Sequence, residues 1–188
     1  LQKNKEWKQM TSVGELTDMV LGVVGYGGIG QEVARLGKAF RMEVLATKRT
    51  PVSSDYLDRL YKPSDLNEML SQCDFVINCL PVTEETLKTF SLEQFKAMKP
   101  SSMFINVGRG ETVSEDDLCK ALTSGEIECA AIDVTDPEPL DKSSPLWELE
   151  NCFITPHDSA WGPRATDRAV ELFLLNLERY RRGEKLHN

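Results

Sequence analysis

Three polar side chains of the types that can reduce a carbonyl follow predicted strands: Arg109, Glu138 and His157. The carboxyl ends of parallel strands meet at one edge of a sheet, so the three side chains are expected at that edge. There, an imidazole can give a proton to a carbonyl oxygen that gains negative charge from hydride transfer. A carboxylate would favour the protonated ring, and a guanidinium could grip a substrate carboxylate. We therefore interpret His157 as the acid/base, Glu138 as its partner and Arg109 as the substrate clamp.

Each of these residues also has an ordinary structural interpretation. A histidine after a strand is more often structural than catalytic, an arginine between two glycines can be a surface turn, and a glutamate among prolines can be a solvated loop residue. Only their coincidence favours the catalytic interpretation of Arg109, Glu138 and His157. The other histidine, His187, lies in a charged tail, and we expect no role for it.

A glycine pattern, G-x-G-x-x-G at Gly25, Gly27 and Gly30, lies between a predicted strand and a predicted helix. In that context Gly25 permits a tight turn, Gly27 lets the backbone approach a pyrophosphate, and Gly30 lets the helix pack closely on the strand. The amides at the helix start, around Gly28 and Ile29, would then attract the anion. The pattern predicts a dinucleotide site. On the loop alone, a turn without a ligand or another nucleotide such as S-adenosylmethionine stays open.

The residues at the end of the second predicted strand indicate which of the two nicotinamide cofactors is bound. An acidic residue about 20 residues beyond the glycines would bind the ribose 2′-hydroxyl of NAD. This chain instead has Lys48, Arg49 and Thr50, whose two cations and hydroxyl suit a 2′-phosphate. We therefore predict NADP(H), with NAD as the alternative, and the competing interpretation is that these are solvated loop residues. Asp133, at the end of the fifth predicted strand, would face the nicotinamide end of the cofactor.

Strands that would position these residues alternate with helices along the chain. Each predicted strand is a short apolar run bounded by turn residues, as in a buried parallel sheet. Six such runs occur, at residues 20–24, 43–47, 74–80, 103–107, 128–133 and 152–155. The alternation predicts an α/β fold, a doubly wound parallel sheet in a Rossmann-type three-layer sandwich.

The predicted helices follow the usual apolar spacing and capping signals. In the first helix, the apolar residues that recur at helical spacing are Ile29, Val33, Leu36 and Phe40. Further helices are predicted at 66–70, at 91–98, from 114 onward and at 164–181. Residues 51–63 contain two prolines and read as a loop with at most a helical turn.

Composition and charge limit the classes of partner. Acidic residues outnumber basic ones by 30 to 22, and the resulting net charge of −8 argues against a nucleic-acid partner. No run approaches the ~20 apolar residues of a membrane span, so we expect no membrane partner. Five cysteines without a C-x-x-C spacing, and no visible secretory leader, predict no metal site and a cytoplasmic location. Because the sequence opens at Leu1 rather than Met, we expect an excised or processed piece.

Five segments resemble the NAD(P)-binding domain of the D-isomer-specific 2-hydroxyacid dehydrogenases. They are GYGGIG at 25–30, DFVINCLPVTEET at 74–86, NVGRG at 106–110, AAIDVTDPEPL at 130–140 and ITPH at 154–157. The resemblance implies reversible, NAD(P)-dependent reduction of a 2-keto acid to a D-2-hydroxy acid, with Arg109, Glu138 and His157 as the catalytic residues. It also implies a homodimer. The cofactor contacts that it implies fall on Gly28, Ile29, Lys48, Arg49, Leu80, Pro81, Val107, Asp133 and Ser159.

Two departures from the family affect what the chain can do. Thr135, Asp158 and Ser159 stand where the family often has aromatic or small apolar residues, so the substrate is not identified. Family members also have a second lobe that closes over the substrate, and this chain has no room for it. We therefore expect residues 1–188 to form one dinucleotide-binding domain, which binds NADPH but turns over poorly because its cleft has one wall.

The sequence thus favours an NADPH-linked reductase of a small 2-keto acid, for example glyoxylate or hydroxypyruvate. The alternative is a non-catalytic nucleotide sensor, since corepressors of the C-terminal-binding-protein type resemble these enzymes. A methyltransferase is the third interpretation, and it would give Arg109, Glu138 and His157 no role.

Overall fold

The computed structural model describes residues 2–8 and 14–187, and it shows a seven-stranded sheet in which neighbouring strands are parallel. The strands are β1 (Val20–Val24), β2 (Glu43–Thr47), β3 (Arg59–Tyr61), β4 (Phe75–Asn78), β5 (Met103–Asn106), β6 (Cys129–Ile132) and β7 (Cys152–Ile154). Their order is β3-β2-β1-β4-β5-β6-β7, which reverses direction between β1 and β4. Such a reversal opens a crevice at the carboxyl ends of the strands. The predicted α/β fold with a doubly wound parallel sheet is confirmed.

The α-helices of the described residues begin and end close to the predicted positions. They are α1 (Gly28–Ala39), α2 (Leu66–Leu70), α3 (Leu92–Ala97), α4 (Glu115–Ser124) and α5 (Ala165–Arg181). At the start of α3, Gln94 Oε1 accepts a hydrogen bond from the Ser91 amide at 3.2 Å, as a capping box requires. Ser114 is the N-cap of α4. No helix in the described part of the chain is both long and apolar enough to cross a membrane.

Successive strand residues pack on opposite faces of the sheet, which gives two hydrophobic clusters. Val24 and Leu45 belong to the larger cluster, which includes residues of α2, α3 and α4. Their neighbours Val23 and Val44 belong to the smaller cluster with α1. This alternation follows from the two-residue period of side chains along a strand. The buried strands thus anchor helices on both faces, which holds the carboxyl edge in place.

The apolar residues at helical spacing in α1 are not the face that packs on the sheet. Three of the four are about half exposed, namely Ile29, Leu36 and Phe40. The buried residues of α1 are small ones, namely Gly30, Ala34 and Gly37. A Cβ on Gly37 would lie 2.6 Å from Leu21 Cδ2, so the helix approaches β1 this closely only because that side chain is missing. The spacing predicts the helix but not its packing face, because small residues that permit close packing carry no apolar signal.

Strand β3 lies within the stretch that the sequence predicts to be a loop. The Asp58 amide donates to the carbonyl oxygen of Val44 at 2.9 Å, and the Lys48 amide donates to that of Tyr61 at 3.1 Å. Asp58 Oδ2 also accepts the Val44 amide at 2.7 Å, which pins the start of β3 to β2. A three-residue edge strand has too few residues to show a pattern, and contacts with β2 decide its conformation.

Helix α5 differs from the others because none of its residues is buried. Its exposed apolar side chains are Val170, Leu172, Phe173, Leu174, Leu175, Leu177 and Tyr180. Phe153, on the edge strand β7, is also 61% exposed. Helix α5 and Phe153 therefore present apolar side chains that the described residues do not cover.

Candidate functional site

The glycine pattern forms the turn between β1 and α1. Gly25 has a φ of +99°, which lets the chain turn directly after β1. The turn is tied to β2, because the Gly25 amide donates to Thr47 Oγ1 at 3.2 Å and the Tyr26 amide donates to the Thr47 carbonyl oxygen at 3.1 Å. A side chain on Gly30 would overlap the carbonyl oxygen of Gly25. Turn, strand and helix therefore come together only with glycine at that position.

The space in front of the α1 N-terminus is open. A Cβ built on Gly27 or on Gly28 would have no protein atom within 4 Å. The first turn of a helix presents backbone amides that have no partner within the helix, and the helix dipole adds positive potential there. Open space in front of such amides fits the pyrophosphate of a dinucleotide. The residues present therefore fit the class of cofactor that the sequence predicts.

A solvent-open cleft of about 1070 Å³ extends from the glycine loop along the ends of β2 and β4. The predicted cofactor residues in its walls are Gly25, Gly27, Lys48, Arg49, Leu80 and Pro81. The predicted cofactor residues outside its walls are Gly28, Ile29, Gly30, Thr50, Val107, Asp133 and Ser159. Of these, Val107, Asp133 and Ser159 follow β5, β6 and β7. The predicted contacts thus divide between the two halves of one sheet edge.

The two cations predicted to bind a 2′-phosphate are placed differently. Lys48 is half-buried, and its Nζ donates to the carbonyl oxygen of Tyr26 at 2.6 Å, which ties the glycine loop to the end of β2. Arg49 is exposed at the rim of the cleft. A hydrogen bond from the Thr83 side chain, then one from the backbone amide of Glu85 and the charge of Arg49, hold the pKa of Glu85 below its usual value. Both cations face the cleft, but Lys48 also supports the loop.

One wall of the cleft consists of residues that are not among the predicted site residues: Thr83, Glu85, Thr86 and Thr89. The Thr83 amide donates to Thr86 Oγ1 at 2.8 Å, and that hydroxyl donates to the carbonyl oxygen of Pro81 at 2.6 Å. A local signal for this turn exists in the sequence, because hydroxyl side chains after a proline often close a turn on the backbone. The signal indicates a turn but does not indicate that the turn lines a cleft.

The structure brings the predicted acid/base and its predicted partner into contact. His157 Nδ1 lies 2.9 Å from Glu138 Oε2, across a sequence separation of 19 residues. Both side chains are nearly half exposed, at 43% for His157 and 45% for Glu138. The backbone of His157 is left-handed with a φ of +53°, a conformation that few residues other than glycine adopt. The surrounding chain therefore sets the orientation of this ring.

Asp133, which is buried, holds the segment that carries His157. Its Oδ1 accepts hydrogen bonds from Thr155 Oγ1 at 2.6 Å and from the Asp158 amide at 3.1 Å. Its Oδ2 accepts one from the Ser159 amide at 3.2 Å. Burial acts to raise the pKa of this carboxyl, but the hydrogen bonds from Ser159, Thr155 and Asp158 outweigh burial and keep the pKa below its usual value. The carboxylate thus bonds to residues before and after His157. A contact between Asp133 and a cofactor would come in addition to these bonds.

Arg109 lies in the loop that follows β5. Its side chain is exposed, and its Nη1 donates to the carbonyl oxygen of Gly108 at 2.7 Å. A side chain on Gly110 would overlap the carbonyl oxygen of Thr135, so the loops after β5 and β6 touch there. Arg109 is therefore beside the loop that carries Glu138, but its guanidinium is folded against its own backbone. To grip a substrate, the guanidinium has to turn outward.

One family model matches most of this chain. Residues 1–159 match the family described as D-isomer specific 2-hydroxyacid dehydrogenase, NAD binding domain. The glyoxylate reductase of Pyrococcus furiosus is 37% identical over 186 residues, which are 97% of this chain and 54% of that protein. The human glyoxylate reductase/hydroxypyruvate reductase is 36% identical over 182 residues, which are 96% of this chain and 56% of that protein.

A solved structure of similar fold contains a bound dinucleotide. It is the NADPH-dependent glyoxylate/hydroxypyruvate reductase of Sinorhizobium meliloti in complex with NADP and sulfate, with a TM-score of 0.87 and 28% identity. The similarity covers 99% of this chain and 59% of that one. The chain thus spans little more than half the length of these relatives. Because the family match covers most of the sequence, the chain belongs to the D-isomer specific 2-hydroxyacid dehydrogenase family, whose NAD-binding domain it contains.

Proposed function

We propose that this chain is the nucleotide-binding part of an NADP(H)-dependent reductase that converts a small 2-keto acid, glyoxylate or hydroxypyruvate, to the corresponding 2-hydroxy acid, in the D configuration where that product is chiral. The observation that carries the proposal is the 2.9 Å contact between His157 Nδ1 and Glu138 Oε2 at the sheet edge that also holds the glycine loop. A carboxylate paired with an imidazole beside a cleft is typical of a site that moves protons. The relatives named as glyoxylate reductases support the choice of substrate.

The glycine loop and the cations after β2 would hold the cofactor, which supplies the hydride when bound. The open amides at Gly27 and Gly28 suit its pyrophosphate. Arg49 and Thr50 are exposed at the end of β2, where they can reach a 2′-phosphate, and Lys48 supports the loop behind them. The solved relative that contains NADP supports this preference, with NAD as the alternative cofactor.

His157 would supply the proton. Because Nδ1 faces Glu138, the other ring nitrogen, Nε2, is the one that can meet the substrate. As the carbonyl carbon accepts hydride, its oxygen takes the proton from Nε2, and Glu138 stabilises the ring in its protonated form. In the reverse direction Nε2 removes the proton from the hydroxyl group. Asp133 contributes by holding the left-handed backbone of His157.

Arg109 would bind the carboxylate of the keto acid. A guanidinium forms two parallel hydrogen bonds with a carboxylate, which orients the adjacent carbonyl for attack. In exchange, Arg109 gives up the hydrogen bond to the carbonyl oxygen of Gly108. The two parallel hydrogen bonds between the guanidinium and the substrate carboxylate are stronger than the single bond to Gly108. Substrate binding can therefore drive the rotation of the Arg109 side chain.

The 188 residues would form one dinucleotide-binding domain whose cleft needs a second wall for turnover. Matched relatives are nearly twice as long, and additional chain of that length could cover the substrate. A homodimer would cover the exposed apolar surface at α5 and Phe153. We therefore expect weak turnover from these residues alone but full nucleotide binding.

A substrate scan of the full-length protein tests the proposal. Glyoxylate, hydroxypyruvate and phenylpyruvate are supplied in turn with NADPH or NADH. Oxidation of the reduced nicotinamide is followed by the loss of its absorbance at about 340 nm. We expect turnover of the two smaller acids with NADPH, and its loss in His157→Asn. Nucleotide binding without turnover of any keto acid would contradict the proposal and favour a nucleotide sensor.

A further inference from the structure

Three fully buried polar side chains connect the ends of β4 and β5. They are Asn78 at the end of β4, Asn106 at the end of β5 and Thr112 in the short turn Gly110–Thr112, and they are 0%, 1% and 0% exposed. Asn78 Nδ2 donates to Asn106 Oδ1 at 3.0 Å and to Thr112 Oγ1 at 2.7 Å. Buried polar groups are costly unless they are bonded, and here they bond to one another. The three side chains, which we call the amide network, therefore form one connected unit.

The amide network holds backbone on both sides of the candidate site. On the cofactor side, Asn78 Oδ1 accepts the amide of Leu80 at 3.2 Å, and Leu80 lines the nucleotide cleft. On the substrate side, the carbonyl oxygen of Arg109 accepts hydrogen bonds from Thr112 Oγ1 at 2.6 Å and from Asn106 Nδ2 at 3.3 Å. The same network thus fixes the backbone at a predicted cofactor residue and at the predicted substrate clamp.

Direct contact between the two loops adds a steric constraint. Asn106 Oδ1 accepts the amide of Gly108 at 3.1 Å, which folds the β5 loop back over the network. A Cβ on Gly108 would lie 2.8 Å from the carbonyl oxygen of Leu80 and 3.0 Å from its amide nitrogen. The loops after β4 and β5 therefore touch backbone to backbone, and neither can shift without the other.

We propose that Asn78, Asn106 and Thr112 are positioning residues that couple the cofactor segment at Leu80 to the backbone of Arg109, so that the two parts of the site form together. All three side chains are fully buried, so their role is to hold the backbone around them. Apolar side chains of similar size could fill the same space, but they would leave the Leu80 amide and the Arg109 carbonyl without these partners. This inference rests on the proposed function only for the roles of Leu80 and Arg109.

Amide hydrogen exchange of the unliganded chain tests the coupling without relying on activity. Thr112→Ala and Thr112→Ser form a matched pair, since they differ only in the hydroxyl that bonds to Asn78 and Arg109. In Thr112→Ala we expect the Leu80 and Gly108 amides to exchange about tenfold faster, because one buried hydrogen bond is lost. Thr112→Ser should restore slow exchange at both. Faster exchange confined to residues 109–112, with Leu80 unchanged, would overturn the proposal.

Ser102→Ala is the control for loss of any buried hydroxyl. Ser102 is 0% exposed, and its Oγ is the buried side-chain atom without a hydrogen-bond partner in the described residues. Its removal should leave exchange at Leu80 and Gly108 unchanged. An equal increase in Ser102→Ala and Thr112→Ala would show general loosening and overturn the coupling.

In the full-length protein, the dissociation constant for NADPH and the KM for the keto acid should rise together in Thr112→Ala, each about tenfold relative to Thr112→Ser. The ratio of affinities for NADPH and NADH should stay constant, because Lys48 and Arg49 lie outside the network. A rise in only one of the two constants contradicts the coupling. Absence of nucleotide binding in the unmutated protein would instead refute the proposed function, whereas the exchange result stands independently of it.

Discussion

The two halves of the sheet edge are built in different ways. On the β1–β2 side, backbone conformation shapes the site: Gly25 turns the chain, Gly30 permits close packing, and the space beside Gly27 and Gly28 is open. On the β4–β7 side, buried polar side chains hold the loops in place. Asp133 bonds to residues before and after His157, and the amide network joins the loops after β4 and β5.

This difference has consequences for how each half fails. A glycine turn is insensitive to pH and depends on the absence of side chains, so added atoms should damage it. The loops on the β4–β7 side depend on the ionised Asp133 carboxylate and on the side-chain oxygens of the amide network. Protonation of Asp133, or removal of the Thr112 hydroxyl, should therefore damage them. The glycine turn proposed to bind a nucleotide and the histidine proposed to move a proton can therefore be disabled separately.

The largest expected effect comes from removing the acid on the β4–β7 side. His157→Asn keeps a residue that tolerates the left-handed backbone, but it cannot act as a general acid. We expect kcat of the full-length protein to fall about 10²–10⁴-fold, with the dissociation constant for NADPH unchanged. The matched control is His187→Asn, in the exposed tail, which should keep full activity. Weaker NADPH binding in His157→Asn would mean that the two halves are not separable.

A methyl group added on the β1–β2 side should separate packing from binding. In Gly30→Ala the new Cβ overlaps the carbonyl oxygen of Gly25, so we expect the free energy of unfolding to fall by about 1–3 kcal/mol. Gly27→Ala adds the same group in open space and should change stability by less than about 0.5 kcal/mol. Both should weaken NADPH binding, measured by calorimetry. Normal binding in Gly27→Ala would show that no pyrophosphate lies there.

Acid should loosen the segment that carries His157. Because the pKa of Asp133 is depressed in the folded chain, its stabilisation is fully present above the unfolded pKa of about 4 and is lost as the pH falls through the lower folded value. Between pH 6 and pH 3, protection of the Asp158 and Ser159 amides from exchange should fall roughly tenfold, after correction for intrinsic rates. The reference is the Gln31 amide, bonded to the carbonyl oxygen of Gly27 at 2.9 Å. An equal fall at Gln31 would contradict a local effect.

The smallest expected effect concerns the choice of cofactor. Arg49→Ala should weaken NADPH binding about tenfold and leave NADH binding unchanged, because only NADPH carries the 2′-phosphate. Lys48→Ala should weaken both, since Lys48 also holds the carbonyl oxygen of Tyr26. Arg35→Ala, which removes an exposed cation from α1, is the control. Fluorescence titration with both nucleotides measures all three, and equal losses for NADPH and NADH in Arg49→Ala would remove the basis for the NADP preference.

Sequence reasoning works best where the controlling signal is local. The strand-to-helix turn at the glycine loop, the caps of α3 and α4 and most strand bounds depend on residues within a few positions of one another, and these structural predictions are confirmed. Edge strand β3 is predicted wrongly, because the strand that decides its conformation lies elsewhere in the chain. The packing face of α1 is not predicted, because its small residues give no apolar signal. The pairing of His157 with Glu138 follows from chemistry, once a parallel sheet brings strand ends together.

The amide network shows why part of the site is invisible in the sequence. Asn78 reaches partners 28 and 34 residues away, and nothing in the segments FVIN or MFIN separates a buried asparagine from one that ends a strand at the surface. Asp133 presents the same difficulty: its position at a strand end predicts a cofactor contact, whereas its bonds to Thr155, Asp158 and Ser159 depend on the course of the chain after β7.

The left-handed backbone at His157 bears on how such a fold diversifies. Among side chains that accept this geometry, asparagine differs from histidine by a single nucleotide in its codon. Asparagine at this position would abolish the proposed proton transfer without disturbing the glycine loop proposed to bind the dinucleotide. A gene duplicate could thus lose catalysis in one step and persist as a ligand-dependent scaffold. Proteins of this fold that bind a nucleotide without catalysis are therefore a single substitution away from active ones.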